Sequence, residues 1–165
     1  MSDLRLIDHA DWPAVHAVQT LAYPDFLHEP LSVLRDKQRL GPHSCWCARV
    51  DGRVQAYLLA HPWAGEDLPC WGQDGQPLSG KADQLFLHDL AIAPAAQGRG
   101  IAGRLLAAAE GQARAAGLSR LTLIAVQGAA GYWARHGFAP LALASPLPAA
   151  YGREACAMAR PLLPA

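Results

Sequence analysis

The sequence predicts a mixed α/β fold in which helices cover both faces of a mostly antiparallel central sheet. Apolar periodicity gives the element order β-α-α-β-β-β-α-β-α-β-β along 165 residues. Asp51-Gly52 is a strong two-residue hairpin signal and makes the second and third strands antiparallel. Only the later part of the chain has the β-α-β form that requires parallel pairing, so the sheet is mixed. Because no linker or repeat divides the chain, residues 1–165 are predicted to form one domain.

The first third of the chain predicts a strand and two helices. Leu4 and Leu6 alternate with polar residues and indicate a short strand. Asp8 and Asp11 are candidate N-caps for the helix that follows. A second helix is predicted over 31–40 and is closed by a Gly-Pro pair.

The middle of the chain predicts three strands. Strands over 44–50 and 53–61 flank the hairpin turn. Residues 61–83 are rich in Gly, Pro and acidic side chains and indicate a long loop, a feature that is often functional in compact domains. The next strand is predicted over 84–92.

The last third predicts two helices that alternate with strands. In chain order these elements are a helix over 100–116, a strand over 120–126, a short helix over 129–136, and an antiparallel strand pair over 138–143 and 153–160. Gly117 and Gly137 end the two helices.

Composition excludes several classes of function. Hydrophobic residues make up 52% of the chain and charged residues 17%, and the formal net charge is zero. Zero net charge gives no bulk attraction to nucleic acid or to an anionic membrane, so neither is expected as a partner. No apolar run reaches the roughly 20 residues of a membrane span, and the N-terminus does not resemble a signal peptide. We therefore expect a cytoplasmic protein.

The cysteines do not form a metal or redox motif. Cys45 and Cys47 have C-x-C spacing, and no second pair complements them. At the period of a strand they share one face, where free cysteines are expected as small buried apolar residues. No metal site is predicted.

The segment Gln97 to Gly103, QGRGIAG, contains a G-x-G-x-x-G sequence. A dinucleotide fold is disfavoured because residues 94–97 separate the strand from the glycines and no acidic residue ends the next strand. A P-loop is disfavoured because no Lys follows the glycines. An anion site remains, since glycines let N–H groups converge and the helix beginning near Gly100 adds unpaired N–H groups. The structural alternative is a turn that only lets strand and helix pack closely.

Two motifs together resemble the GNAT superfamily of N-acetyltransferases. Gln97-x-x-Gly100-x-Ala102 is similar to that family's acetyl-CoA signature Q/R-x-x-G-x-G/A, and residues 132–138, YWARHGF, resemble its Y-x-x-x-G-F block. The order of elements is also similar, so the resemblance covers nearly the whole chain. Residues 28–31, HEPL, and 86–91, FLHDLA, resemble the branch that contains serotonin (arylalkylamine) N-acetyltransferase, which acetylates small amines.

The resemblance implies acetyl-CoA as cosubstrate and a central sheet with splayed middle strands. It places the pyrophosphate on the N–H groups of Gly98 to Gly103 and the pantetheine arm along Leu90 to Ile92, where one N–H faces a developing oxyanion. The cofactor-binding residues that it implies are Leu90, Ala91, Ile92, Gln97, Gly98, Arg99, Gly100, Ile101, Ala102, Gly103, Gln127 and Trp133.

His88 is the candidate general base. A primary ammonium has a pKa near 10 and must lose a proton before it attacks a thioester. Many members of the family carry Glu two residues earlier, where this chain has Phe86. His88 has an unperturbed pKa of about 6.5 and suits the role, with a hydrogen-bonded core histidine as the alternative. At a period of two, Phe86, His88, Leu90 and Ile92 share a face, and Asp89 faces the other way unless a bulge intervenes.

The general acid is less well defined. The Tyr that the family commonly places four residues before the Gly of G-F is Trp133 here. Tyr132 is the candidate acid, although on a helix it points about 100° away from Trp133. Water, or no acid at all, is the alternative, and aromatic packing is the structural alternative for both rings.

The amine is expected to enter between the first helices and the 61–83 loop. The predicted substrate contacts are Tyr23, Phe26, Glu29 and Trp63, with His28 and Trp71 as further members of an aromatic wall. Aromatic rings beside a carboxylate suit an arylalkyl or polyamine ammonium. Ordinary loop packing is the alternative.

The sequence thus predicts an acetyl-CoA-dependent N-acetyltransferase that acts on a primary amine, chiefly a small molecule, by direct attack in a ternary complex. A monomer or homodimer is expected. The alternative is a catalytically degenerate acyl-CoA-binding or regulatory module, which the Trp133 departure motivates. A nicotinamide enzyme would require NADH binding that coenzyme A does not compete away.

Overall fold

A computed structural model describes residues 2–69 and 80–163, so Cys70 and Trp71 lie outside the described residues. The strands are β1 (Ser2–Leu6), β2 (Cys45–Val50), β3 (Arg53–Trp63), β4 (Gln84–Ile92), β5 (Arg120–Ala125), β6 (Ala139–Pro140) and β7 (Cys156–Pro161). The α-helices are α1 (Trp12–Ala22), α2 (Leu31–Leu40), α3 (Ile101–Ala115) and α4 (Ala130–Arg135).

The strands form one sheet with the order β1-β2-β3-β4-β5-β7-β6. Neighbouring strands are antiparallel, except that β4 and β5 are parallel and are joined by α3. The predicted strand pair near the C-terminus is present as β6 and β7, with β7 inserted between β5 and β6. The predicted mixed, mostly antiparallel sheet is therefore confirmed.

Two apolar layers cover the two faces of the sheet. Leu58 and Leu87 pack with Leu105 of α3 on one face. Leu59 packs with Val15 of α1 and with Leu34 of α2 on the other. Successive side chains of β3 point alternately into the two layers, so β3 contributes to both. Helices therefore cover both faces of the sheet, as the sequence predicts.

The hairpin and the cysteines agree with the sequence analysis. Asp51 and Gly52 have φ values of 51° and 78°, the left-handed conformation that a type I′ turn requires. Cys45 and Cys47 are free and fully buried in the layer under α1 and α2. Burial raises the pKa of the Cys45 thiol to about 12 and that of Cys47 to about 11, so neither is a reactive thiolate.

Several predicted boundaries are wrong by a few residues. Asp8 and Asp11 cap each other around a 3-10 turn over His9–Asp11, and Asp11 makes no side-chain cap for α1. β6 has two residues where the sequence predicts six, and β7 begins at Cys156 rather than at residue 153. The chain between β6 and β7 includes a 3-10 turn over Ala149–Tyr151.

Two irregularities of β4 determine the shape of the sheet centre. β4 pairs with β5 only from Gln84 to Leu87, so the rest of β4 runs without a β5 partner. On its other side, Leu59 of β3 pairs with Asp89 and Ala60 pairs with Leu87, which leaves His88 as the extra residue of a β-bulge.

Among the described residues, no helix is long and apolar enough to cross a membrane. In that same part of the chain, no group of three or more His, Cys, Asp or Glu side chains is placed to hold a metal ion.

Candidate active site

A cavity of about 760 Å³ opens where β4 and β5 separate. One end, which we call the glycine end, is lined by Gln97, Gly98 and Gly100–Gly103. The opposite end, which we call the acid–base end, is lined by Tyr23, Glu29, His88 and Asp89. A cavity of this size is large enough for an extended small-molecule ligand. The separation of two neighbouring strands therefore opens one space shared by a glycine-rich loop and a cluster of titratable groups.

The glycine end fits a bound anion. Gly98 and Gly100 have φ values of 76° and 73°, which glycine adopts without strain. Within the described chain, no backbone carbonyl accepts from the N–H groups of residues 98–103, whereas Arg104 N–H bonds to the Gly100 carbonyl at 3.3 Å. No side chain caps the helix at Gly100, and the first turn of α3 contains no acidic residue. These N–H groups and the positive end of the helix dipole suit a phosphate or diphosphate.

The free edge of β4 presents two residues to the cavity through their main chain. Ala93 N–H donates to the Gln55 carbonyl at 2.8 Å, so Ala93 is a hydrogen-bonded position of the β3–β4 ladder. Because an antiparallel ladder alternates, the N–H and C=O of Ala91 also face β3. Those of Leu90 and Ile92 face away from β3, toward the gap that β5 leaves. The Leu90 N–H and the main chain of Ile92 are thus available to a ligand, whereas the main chain of Ala91 is paired with β3 and the Leu90 carbonyl accepts from Tyr23 Oη.

The bulge brings His88 against Glu29. His88 Nε2 lies 2.5 Å from Glu29 Oε1, and the two side chains are only 4% and 3% exposed. Glu29 precedes α2, and its own main chain is held by the side-chain amide of Gln19 on α1. A carboxylate and an imidazole are therefore paired in the wall of the cavity by contacts between three segments.

The bulge also corrects the predicted assignment of faces. Phe86 contacts His61 and His88 on the side of α1 and α2, whereas Leu90 and Ile92 pack against the layer under α3. Phe86, His88, Leu90 and Ile92 do not share one face, so that prediction is wrong. The extra residue in β4 shifts the alternation by one position.

Asp89 is the centre of a second polar group. Tyr57 Oη donates to Asp89 Oδ2 at 2.5 Å, and Tyr23 Oη donates to the Leu90 carbonyl at 2.8 Å. Burial raises the pKa of Asp89 above its ordinary value. Burial, reinforced by the Asp89 charge, also raises the pKa values of Tyr23 and Tyr57 well above 10, so both phenols stay protonated. The residue types alone did not reveal this group, because Tyr57 comes from the neighbouring strand β3 and Tyr23 from the end of α1.

Aromatic rings of α4 line the cavity opposite the free edge of β4. Tyr132 and Trp133 both line it, and their ring centroids are 5.2 Å apart. The angle of about 100° between successive residues of a helix therefore does not prevent both rings from facing the cavity. Trp133 also contacts Phe138 in the core. Burial raises the pKa of Tyr132, which keeps its hydroxyl protonated at neutral pH. His136, which sequence reasoning missed, packs on Tyr132 at 4.9 Å and lines the same wall.

The structure brings most of the predicted site residues to this cavity. Gln127 lines it in a left-handed conformation at φ 54°, just beyond the end of β5. Three predicted residues lie away from the cavity wall: Arg99 is exposed, Phe26 is 59% exposed, and Trp63 donates from Nε1 to the Asp67 carbonyl at 2.7 Å. Leu27 and Tyr151 line the cavity and carry no sequence signal that would have identified them.

Solved structures share this fold along nearly the whole chain. A GNAT-like decarboxylase, GphF, in complex with isobutyryl-CoA is 15% identical, with a TM-score of 0.86 over 98% of this chain and 100% of that one. The ribosomal-protein-S18-alanine N-acetyltransferase from Escherichia coli is 19% identical, with a TM-score of 0.70 over 100% and 96%. Arabidopsis thaliana Naa50 in complex with the bisubstrate analogue CoA-Ac-MVNAL is 13% identical, with a TM-score of 0.72 over 96% and 97%. At these identities the likeness shows the fold alone.

The curated proteins contain no match to this sequence. The family model described as "Acetyltransferase (GNAT) family" matches residues 7–138, which include the glycine end, the acid–base end and α4. The acetyl-CoA expected from the sequence agrees with that match and with the uncapped N-terminus of α3. The chain therefore belongs to the GNAT family of acetyltransferases.

Proposed function

We propose that this protein is an N-acetyltransferase that moves the acetyl group of acetyl-CoA to the primary amine of a small molecule by direct attack in a ternary complex. The observation that carries the proposal is the single cavity in which the unpaired N–H groups of the glycine end face the same space as His88. Bound acetyl-CoA supplies the thioester carbonyl, whose carbon forms a bond to the amine nitrogen as the C–S bond breaks.

The residues of the chain have distinct roles in this proposal. The N–H groups of residues 98–103 hold the diphosphate, and the main chain of Leu90 and Ile92 pairs with the pantetheine arm. The Leu90 N–H faces the oxygen on which negative charge develops. His88 takes the proton that the ammonium must lose, and Tyr132 donates a proton toward the departing sulfur. Gln127 and Trp133 line the path of the cofactor.

A small amine as acceptor is supported by the chemistry of the acid–base end. Asp89 and the hydroxyls of Tyr23 and Tyr57 gather oxygen atoms at the acid–base end of the cavity, and oxygen ligands suit an ammonium group. The resemblance to the serotonin N-acetyltransferase branch in residues 28–31 and 86–91 points in the same direction. The bacterial and plant proteins named above act, by their names, on a protein alanine and bind a peptide-bearing analogue, so peptides are the competing acceptors.

The test is a thermal-shift titration with coenzyme A followed by a thiol-release assay with acetyl-CoA. The amine panel contains arylalkylamines, polyamines, aminoglycosides, amino acids and short peptides with free N-termini. At a hundred times the dissociation constant, coenzyme A should stabilise the fold by about 2.7 kcal/mol, a shift of roughly 5–10 °C. Thiol release with a small amine supports the proposal. Thiol release with peptides alone would show that the acceptor is a peptide and not a small molecule.

Two further outcomes would overturn the proposal. Absence of any shift at millimolar coenzyme A would remove the cofactor assignment. A clear shift without thiol release across the panel would support the degenerate acyl-CoA-binding module, for which Trp133 at the usual Tyr position is the motivating observation.

A further inference from the structure

Resting on the proposed function, we propose that Glu29 is a positioning residue that acts through His88 rather than a contact of the amine. Its carboxylate holds the imidazole in the tautomer with a proton on Nε2 and so leaves Nδ1 free to take the proton of the substrate ammonium. The inference rests on the contact between these two side chains and on the way the fold fixes Glu29.

The hydrogen bond determines where the imidazole proton lies. His88 Nε2 and Glu29 Oε1 are 2.5 Å apart. A carboxylate only accepts hydrogen bonds, so Nε2 is the donor and carries a proton. In the neutral ring the other nitrogen, Nδ1, then has the lone pair that a base needs. The contact therefore selects one of two tautomers before any substrate arrives.

Glu29 is held firmly enough to perform this role. Gln19 Nε2 donates to the Glu29 carbonyl at 3.1 Å, and Glu29 N–H donates to Gln19 Oε1 at 3.0 Å. Gln19 is 1% exposed and Glu29 is 4% exposed, so water does not compete for these bonds. The following Pro30 begins the turn into α2. Two reciprocal hydrogen bonds thus fix the main chain that carries the carboxylate.

The contact between Glu29 and His88 has a second role during turnover. Glu29 pairs with the ring directly. Once Nδ1 has taken a proton, the imidazolium has a carboxylate on its Nε2 side, which stabilises the charge as long as the pair stays intact. A carboxylate already bonded to the ring is a poor contact for a substrate ammonium, so the predicted substrate-binding role of Glu29 is replaced by this one.

Three variants separate this proposal from others. Glu29→Gln removes the charge and offers an N–H that stabilises the wrong tautomer. We expect kcat to fall about 100-fold or more, by the logic that governs the carboxylate of a catalytic triad, while KM for acetyl-CoA stays within about twofold. Gln19→Leu removes both bonds to the Glu29 main chain, and we expect a fall of about 10-fold in kcat. Asp25→Asn, in the same connection between α1 and α2 but fully exposed, is the control and should change neither constant.

A spectroscopic measurement tests the pairing without turnover. With ¹⁵N-labelled histidine, the ring signals that disappear in His88→Gln belong to His88. In the wild type these should report a proton on Nε2, and in Glu29→Gln they should shift to the other tautomer or to a mixture. Unchanged His88 signals together with unchanged kcat in Glu29→Gln would overturn the proposal.

The outcomes distinguish this inference from the proposed function. If Glu29→Gln raises only KM for the amine, Glu29 is a substrate contact and the positioning role is wrong, although the acetyltransferase assignment stands. If the wild type binds no coenzyme A, the proposed function fails, and the tautomer of His88 still decides whether Glu29 controls the ring.

Discussion

The two ends of the cavity are built in opposite ways. The glycine end comes from one continuous stretch of seven residues, Gln97 to Gly103, and its chemistry lies in main-chain N–H groups. The acid–base end joins side chains that are far apart in sequence, with Glu29 and His88 separated by 59 positions. A site made of main-chain groups can therefore be specified by a short stretch of sequence. The acid–base end instead requires that the bulge of β4 and the turn before α2, which are distant in sequence, come into contact in the fold.

Loss of the His88 ring should break the acid–base end and leave the glycine end intact. We expect His88→Gln to reduce kcat for the best amine by about 100-fold to 10,000-fold, since general base catalysis contributes that much. The thermal shift with coenzyme A should remain, because the N–H groups of residues 98–103 do not depend on this ring. A variant with full kcat would show that another group takes the proton.

A second histidine, His61, lies near the acid–base end and, within the part of the chain that the structure describes, differs from His88 in having no carboxylate partner. Burial makes a positive charge on its ring unfavourable. His61 is 1% exposed, and its Nε2 has no partner among the described residues. Burial lowers its pKa to about 4 in the folded protein, against about 6.5 in the unfolded chain. The unfolded state therefore binds more protons between these values, and stability rises with pH through that window.

His61→Phe should remove this pH dependence while keeping the ring contacts with Trp63 and Phe86. Between pH 7.5 and 5 the wild type should lose about 2 kcal/mol more of its free energy of unfolding than the variant does. Urea unfolding at the two pH values measures the difference. Equal losses in both proteins would mean that His61 is not buried as a neutral ring.

Two matched glycine variants test whether the glycine end acts through its main chain. Gly100 and Gly117 have φ values of 73° and 72° and lie at opposite ends of α3. Gly100→Ala and Gly117→Ala should each destabilise the fold by about 1–2 kcal/mol through strain in the left-handed region. Only Gly100→Ala should weaken coenzyme A binding, by about tenfold, as measured by calorimetric titration. Equal weakening in both would trace the effect to general destabilisation.

Asp89→Asn should give the smallest effect. Burial raises the folded pKa of Asp89, so the folded protein binds more protons and the stability from this group decreases as pH rises through the shifted value. The variant should therefore melt about 2 °C higher than the wild type at pH 8, with the gain vanishing near pH 4. The Asn oxygen still accepts from Tyr57. A constant difference across this range would mean that Asp89 does not titrate as described.

The difference between the two ends also explains which features the sequence predicts. The bounds of α2 and β4 agree residue by residue with the predictions over 31–40 and 84–92, because apolar period and Gly or Pro residues mark their ends. The fold of the glycine end follows likewise from glycines placed between strand and helix. These features depend on neighbours in the sequence.

The acid–base end could not be predicted in the same way. A bulge depends on the length of the neighbouring strand, and nothing within 84–92 alone shows that His88 is the extra residue. The partner of His88 is fixed by Gln19 on α1, so its identity becomes visible only once α1, the turn before α2 and β4 are packed together. For the same reason the sequence analysis predicts Glu29 as a substrate contact without identifying His88 as its partner, and it does not bring Tyr23 and Tyr57 together around Asp89.

The opening between β4 and β5 has an evolutionary consequence. A strand segment with no neighbouring strand on one side, like β4 beyond Leu87, would ordinarily invite pairing with another chain. Here Tyr23, Tyr132 and Trp133 stand around that segment, so a slender ligand can reach Leu90 and Ile92 while a foreign strand is kept out. Since main-chain amides are the same whatever the residue, side chains along β4 could change without altering the main-chain groups that we propose to bind the pantetheine arm. Descendants of such a scaffold can therefore acquire new acceptors one substitution at a time.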